Sequence, residues 1–212
     1  MTTEALEVER FAMARRALAR GRLVVDRSFD DVFPAKFRRL SSVHWTPVEV
    51  AVRVAGLLAA KPRARVLDVG SGVGKFCIVG AAAQPHASFC GVEHRGHLLP
   101  VARAAARKVG VPAEFCEGTV ESLDPMTFDA VYLFNPFAEN LAADDDRIDD
   151  VVELGSNRFW RDVFAMERFL RDARAGMRVA TYCGWGGAMP SGYELIMRES
   201  RAGTLELWEK RR

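Results

Sequence analysis

Three alternating glycines follow an acid in the stretch Arg65-Val66-Leu67-Asp68-Val69-Gly70-Ser71-Gly72-Val73-Gly74-Lys75. Val66, Leu67 and Val69 suit a strand buried on both faces, and glycines at 70, 72 and 74 let the backbone turn sharply and approach a ligand with no Cβ in the way. Asp68 stands where the strand meets the turn, where a carboxylate can face the ammonium of a bound amino acid and would repel a pyrophosphate. The spacing G-x-G-x-G also differs from the G-x-G-x-x-G that rests a pyrophosphate on a helix N-terminus. A second apolar run, Ser88-Phe89-Cys90-Gly91-Val92-Glu93, closes on another acid. It lies about 20 residues beyond the loop, the distance expected of a carboxylate that accepts hydrogen bonds from ribose hydroxyls. Alone, the glycines read as a tight turn and Glu93 as a solvated strand end; together, in this order, they fit an amino-acid-bearing nucleoside.

A second group with chemical capacity is Phe134-Asn135-Pro136-Phe137. The Asn135 carboxamide oxygen and the Pro136 main-chain carbonyl can accept bonds from the N–H groups of a target nitrogen and aim its lone pair. An aromatic ring such as Phe137 can stack on a planar target or cage a cation. The plainer reading is a strand-ending turn, where Asn and Pro are common.

The elements that must position these groups alternate. Strands are expected near 65–70, 88–93, 113–116, 128–134, 177–183, 192–198 and 203–209, and helices near 73–84, 95–109 and 157–175. In the last helix Phe159, Val163, Met166, Leu170 and Ala173 repeat at helical spacing and read as core. This is the pattern of a doubly wound α/β sheet. Ahead of it, Thr3 to Arg20 reads as a helix stopped by Gly21, and 21–45 as irregular and partly basic, with Lys36, Arg38 and Arg39 grouped. Thr46-Pro47-Val48-Glu49 reads as a capping box that starts a helix at Pro47. The expected organisation is an extension over residues 1–45 followed by a domain over 46–212.

The order of parts over residues 46–209 resembles the class I, Rossmann-like S-adenosylmethionine (SAM) methyltransferases. That resemblance implies a seven-stranded sheet in the order 3-2-1-4-5-7-6 with strand 7 antiparallel, and SAM as cofactor. It places Asp68, Gly70, Ser71, Gly72, Gly74 and Glu93 around that cofactor. The family's adenine position follows strand 3, here Glu117-Gly118-Thr119-Val120, so Thr119 stands where an acid often sits, and Thr119 or the Val120 amide is left to bond the ring. The connection after strand 5, Gly184 to Gly192, is too glycine-rich for the family's crossover helix. Phe134-Asn135-Pro136-Phe137 is similar to the (D/N)-P-P-(Y/F) tetrad of nitrogen-directed methyltransferases, with one proline missing, and to the Asn-Asn-Phe of Dot1-like lysine methyltransferases. In-line transfer from a sulfonium needs the acceptor's lone pair at close range. The resemblance therefore gives Asn135, Pro136 and Phe137 the acceptor. Thr46-Pro47 also resembles the Thr-Pro of nitrogen-directed nucleic-acid methyltransferases, whose threonine meets the methionine carboxylate; the capping box explains Thr46 equally well. His44 and Trp45 can close over the cofactor or simply pack.

Composition narrows the partners. The 212 residues are 49% hydrophobic with a net charge of +2, which suits one folded domain and imposes no global field. Residues 1–60 carry ten Lys/Arg against seven Asp/Glu, whereas Phe137 to Glu153 holds Glu139, Asp144, Asp145, Asp146, Asp149, Asp150 and Glu153 against Arg147 alone. That acidic stretch attracts a cation and repels phosphates. Residues 138–156 are expected to form a lid beside the acceptor pocket, opposite the Trp185 loop. The favoured acceptor is a cationic protein or small-molecule nitrogen. An RNA or DNA base is the alternative, and a SAM-binding protein without catalysis another. Four isolated cysteines without ligand spacing give no reason to expect a metal and read as buried thiols of a reducing cytoplasm. No apolar run approaches a membrane span, and the first twenty residues lack a leader's apolar core.

Overall fold

Apolar runs separated by helical stretches become parallel strands, because the intervening helix covers one face of the sheet and brings the chain back to its start. The computed structural model describes residues 3–143 and 147–212. Strands β1 (Arg65–Val69), β2 (Ser88–Glu93), β3 (Glu114–Glu117), β4 (Ala130–Leu133), β5 (Arg178–Tyr182), β6 (Tyr193–Ser200) and β7 (Thr204–Lys210) form one sheet. Their order is β3-β2-β1-β4-β5-β7-β6. β1 pairs in parallel with both β2 and β4, while β7 runs antiparallel to β5 and closes the β6–β7 hairpin. This is the expected topology. Winding reverses between β1 and β4, so the crevice at their carboxyl ends is where a ligand fits in such a sheet.

Strand periodicity divides the core into two faces. Val66 and Tyr132 pack on one side with helices α5 (Val48–Leu58), α6 (Lys75–Ala83) and α7 (Leu99–Val109). Leu67, Val131 and Leu133 pack on the other with α8 (Ser156–Asp172), whose Phe159, Val163, Met166 and Leu170 form the expected stripe. α6 is buried along its whole length, as its apolar sequence requires. Its outer side is covered by α1 (Thr3–Ala19), whose Phe11 and Leu18 enter the same core.

The stretch expected to be irregular is partly helical. It contains α2 (Asp26–Phe29), α3 (Ala35–Arg38), α4 (Ser41–His44) and a 3-10 turn at Asp30–Val32. Phe29, Val32, Phe33 and Phe37 anchor it in one core with Val48, Phe76 and Ile78. The capping box is not formed. α5 begins at Val48 without a side-chain cap from its own flank, and the Val48 N–H donates to Asp26 Oδ1 at 2.9 Å. The Thr46 hydroxyl instead shares a 3.0 Å hydrogen bond with that of Tyr132. A carboxylate 22 residues upstream replaces the local cap, which no local pattern announces. Among the described residues no helix is long and apolar enough to cross a membrane.

Candidate active site

The glycines that follow β1 all have positive φ, but they serve different ends. A Cβ on Gly72 would lie 2.3 Å from the Trp45 ring, and one on Gly74 would lie 2.4 Å from that of Phe115. These two let α5's approach and α7's layer close on the loop, and neither lines a cleft. A Cβ on Gly70 would lie 3.2 Å from Pro136 Cβ, at the junction of β1 and β4. Gly70 borders two clefts, one on each side. Of the loop residues expected to meet a ligand, only Gly70 and Ser71 reach them.

The two acids are equally buried and electrostatically opposite. Among the described residues Asp68 has a single side-chain hydrogen-bond partner, the Cys77 thiol, whose Sγ lies 3.7 Å from Oδ2. Burial pushes the Asp68 carboxyl up to about 8, the thiol opposes the rise, and the nearby Glu93 charge adds to it. Glu93 accepts from the Gly72 N–H at 2.9 Å and the Arg95 N–H at 2.8 Å, and His94 Nδ1 lies 3.1 Å from it. Burial pushes this carboxyl up as well, but His94 and the two backbone donors together hold it below the usual range. Glu93 therefore stays ionised and braces the glycine loop from behind, while its neighbours Val92 and His94 line the cleft.

Three adjoining hollows run along the carboxyl edge of the sheet. The first is lined by Gly118, Thr119, Val120, Pro136, Phe137 and Asn140 among others. The second shares Val69 and Gly70 with it and adds Thr46, Asp68, Ser71, Lys75 and Phe134. The third, about 220 Å³, shares His44 and Phe134 with the second and is lined also by Asn135, Ala138 and Glu139. Asn135 is exposed and held at φ 43°; its N–H donates to Gly184 O at 3.0 Å, and its carbonyl accepts from Ala138 N. Asn tolerates this left-handed region better than other residues bearing a Cβ. Phe137, expected beside the acceptor, is instead buried in the core of the α8 face and borders the first hollow, as does Pro136. The aromatic ring beside Asn135 is that of Phe134, whose centroid lies 5.2 Å from that of Tyr182 with the planes tilted by 43°. Trp45, expected as a possible lid with His44, is buried against Gly72 with its indole N–H on Phe37 O.

The acidic segment is less free than its composition suggests. Glu139 Oε1 accepts from Arg95 Nη2 at 2.8 Å and from the Ile148 N–H at 2.6 Å. Asp149 accepts from Arg95 Nε at 3.1 Å and lies 2.9 Å from His97 Nε2. Arg95, 3% exposed, thus pins both ends of the segment to the end of β2. Asp150 and Glu153 remain exposed. Asp144, Asp145 and Asp146 lie outside the described residues.

Sequence reasoning missed Lys75, Tyr132, Arg95 and Asn140. Lys75, 2% exposed, lies 2.6 Å from Asp26, 2.7 Å from Asp30 and 2.9 Å from Ser41 Oγ. A lysine inside an otherwise apolar helix was the available signal; its partners lie in the stretch read as irregular. The cysteines also differ from expectation: Cys77 and Cys90 are buried, but Cys116 is half-buried and Cys183 exposed.

Residues 66–154 match the family described as a methyltransferase domain. That stretch carries a methyltransferase domain, and the sheet around it has the class I, Rossmann-like strand order. The structure of an RNA methyltransferase from Salinibacter ruber, in complex with S-adenosyl-L-homocysteine, is 20% identical with a TM-score of 0.58, and the match covers 78% of this chain and 93% of that one. TrmN from Thermus thermophilus is 22% identical with a TM-score of 0.56, covering 82% of this chain and 52% of that one. The PH0226 protein from Pyrococcus horikoshii is 15% identical with a TM-score of 0.56, covering 87% and 95%. At these identities the likeness is one of fold. No curated protein matches the chain in sequence. Two buried polar atoms without a partner among the described residues, Ser71 Oγ and Asn140 Oδ1, belong to residues that line the second and first hollows. Buried polar atoms are rarely left unpaired without a reason.

Proposed function

We propose that this methyltransferase methylates a nitrogen of a small-molecule or protein amine, with the three hollows taking adenosine, methionine and acceptor in turn. The observation that carries this reading is Asn135, exposed at the end of β4 on a backbone pinned to Gly184 and lining the hollow next to that of Asp68. When bound, SAM supplies an electrophilic methyl group on a sulfonium. The chain supplies position. Asp68 faces the ammonium and Ser71 and Thr46 the carboxylate of the amino-acid end. Glu93, uncovered as His94 gives way, accepts from the ribose hydroxyls, and Thr119 and Val120 meet the adenine. Gly72 and Gly74 shape the loop by packing. The Asn135 oxygen and the Pro136 carbonyl accept the acceptor's N–H groups, and Phe134 takes over the ring contact first assigned to Phe137. The third hollow is the size of one amine-bearing side chain or a small ring, and the exposed Asp150 and Glu153 favour a cation over a phosphate. The domain division at residue 46 belongs to the same proposal, with 1–45 acting as a cover for α6 and the loop.

One observation favours an RNA or DNA base instead: with no capping duty, the Thr46 hydroxyl lines the second hollow, as in the nucleic-acid enzymes whose Thr-Pro it resembles. Incubation with radiolabelled SAM and fractionated cell extract separates the readings. Label in protein or small molecules supports the proposal, and label in RNA or DNA overturns its acceptor. SAM binding without label in any fraction favours a non-catalytic protein.

A further inference from the structure

The adenine amino group has no acid to meet after β3, where Thr119 stands. The Thr119 hydroxyl oxygen already accepts from the Glu121 N–H at 3.4 Å, as the cap of the turn at Val120–Ser122. The other polar side chains of the first hollow already have partners: His94 Nδ1 lies 3.1 Å from Glu93, and the Arg158 Nε–H donates to both Asp162 oxygens, at 2.9 and 2.7 Å. Asn140 differs. Its side chain is 7% exposed, its Nδ2 donates to Phe137 O at 3.1 Å, and its Oδ1 has no partner. That donation fixes which end of the carboxamide is which, because a carbonyl can receive only the NH2 end. What remains, on a residue that lines the hollow, is a buried carbonyl oxygen with no N–H donor among the described residues, a costly state for a folded protein to keep.

We propose that Asn140 Oδ1 accepts the exocyclic amine of the cofactor's adenine, so that the segment after β4 performs the recognition that an acid after β3 would otherwise perform. This rests on the assignment of the first hollow to adenosine. The Val120 N–H heads a turn and is of the kind that helical turns leave without an internal partner. It serves the ring's N1, and Asn140 serves the neighbouring amine. The pair reads adenine by one donor and one acceptor. Asn140 also sits in the 3-10 turn Ala138–Leu141, so the residue that selects the base shares a turn with Ala138 and Glu139 of the acceptor hollow's wall.

Calorimetry with three ligands tests this: S-adenosylhomocysteine, its purine analogue lacking the 6-amino group, and its inosine analogue carrying an oxygen there. The purine analogue keeps N1, so the Val120 contact cancels in the comparison. Wild-type protein is expected to bind S-adenosylhomocysteine about 10-fold more tightly than the purine analogue, and the inosine analogue most weakly, since its oxygen faces another acceptor. Asn140→Leu is expected to bring the first two ligands within about twofold of each other. Equal binding of adenine and purine ligands by the wild type overturns the proposal whether or not the variant folds. Full preference retained in a variant that melts like wild type also overturns it, leaving the cofactor reading intact. Failure of the wild type to bind S-adenosylhomocysteine at all overturns both.

Discussion

The carboxyl ends of β1 and β2 and those of β4 and β5 lie along one edge of one sheet, yet they are built in opposite ways. At β1 and β2 the left-handed positions are glycines, the acids are buried, and Glu93 is held by two backbone N–H groups. At β4 and β5 the left-handed positions include Asn135 at φ 43° and Cys183 at φ 57°, both exposed, and long connections follow. Left-handed backbone in a residue with a Cβ costs energy and persists where the surroundings over-determine it. The first pair of ends is held by backbone hydrogen bonds and buried packing. The second presents side chains outward on strained backbone, which is how a fixed scaffold carries a variable acceptor site.

If that contrast is functional, substitutions at the two ends should separate turnover from cofactor affinity. The largest effect is expected for Asn135→Ala: kcat should fall about 100-fold or more through lost positioning, with SAM affinity within about threefold of wild type. Single-turnover kinetics beside calorimetry checks it, and a parallel loss of both quantities would make Asn135 part of the cofactor site. Glu93→Ala should do the reverse, weakening SAM by about 1.5–3 kcal/mol, the range for hydrogen bonds to a charged group. Unchanged affinity in a folded variant would remove Glu93 from the ribose.

Asp68 sharpens the contrast within the first region. Its carboxyl titrates near 8 in the fold and near 4 when unfolded, so between those values the folded state holds a proton that the unfolded state lacks. This group's contribution to stability therefore declines as pH rises from about 4 to about 8. Asp68→Asn should remove that decline, raising the melting temperature of the unliganded protein above wild type by several degrees at pH 8 and least near pH 4. SAM should bind the wild type more tightly at pH 8 than at pH 6, with release of a proton, because an ammonium favours the carboxylate. Buffer-dependent binding enthalpies measure that proton directly. The smallest effect belongs to Asp150→Asn in the acidic segment: a rise of about twofold in KM for a cationic acceptor at low ionic strength, vanishing in high salt. Equal kinetics across salt would deny the segment a role in attraction.

Legibility in the sequence follows the same divide. Strand positions and the glycine loop are readable because each rests on a local pattern, an apolar run, a helical period or a glycine spacing, whereas the sheet order follows only from the family resemblance. The start of α5 was misassigned because its cap is Asp26, a residue whose partner lies far along the chain. Phe137 and Phe134 exchanged places for a simpler reason. Both rings lie beyond β4, which ends at Leu133, and the left-handed turn at Asn135 between them reverses the chain, so strand alternation does not carry through to Phe137. Asn140 and Arg95 left no local trace, since what marks them is an unpaired oxygen and a buried guanidinium.

Asp26 carries a consequence for synthesis. One of its oxygens holds both the Lys75 ammonium, 49 residues on, and the first N–H of α5. A ribosome releases the N-terminal end first, so Phe29, Val32, Phe33 and Phe37 emerge with no layer to bury them until α6 has followed. Residues 29–37 thus stay aromatic and uncovered until α6 has been made. Conditions that slow translation between residues 45 and 85 would lengthen that exposure, and would trouble the newborn chain far more than the finished enzyme.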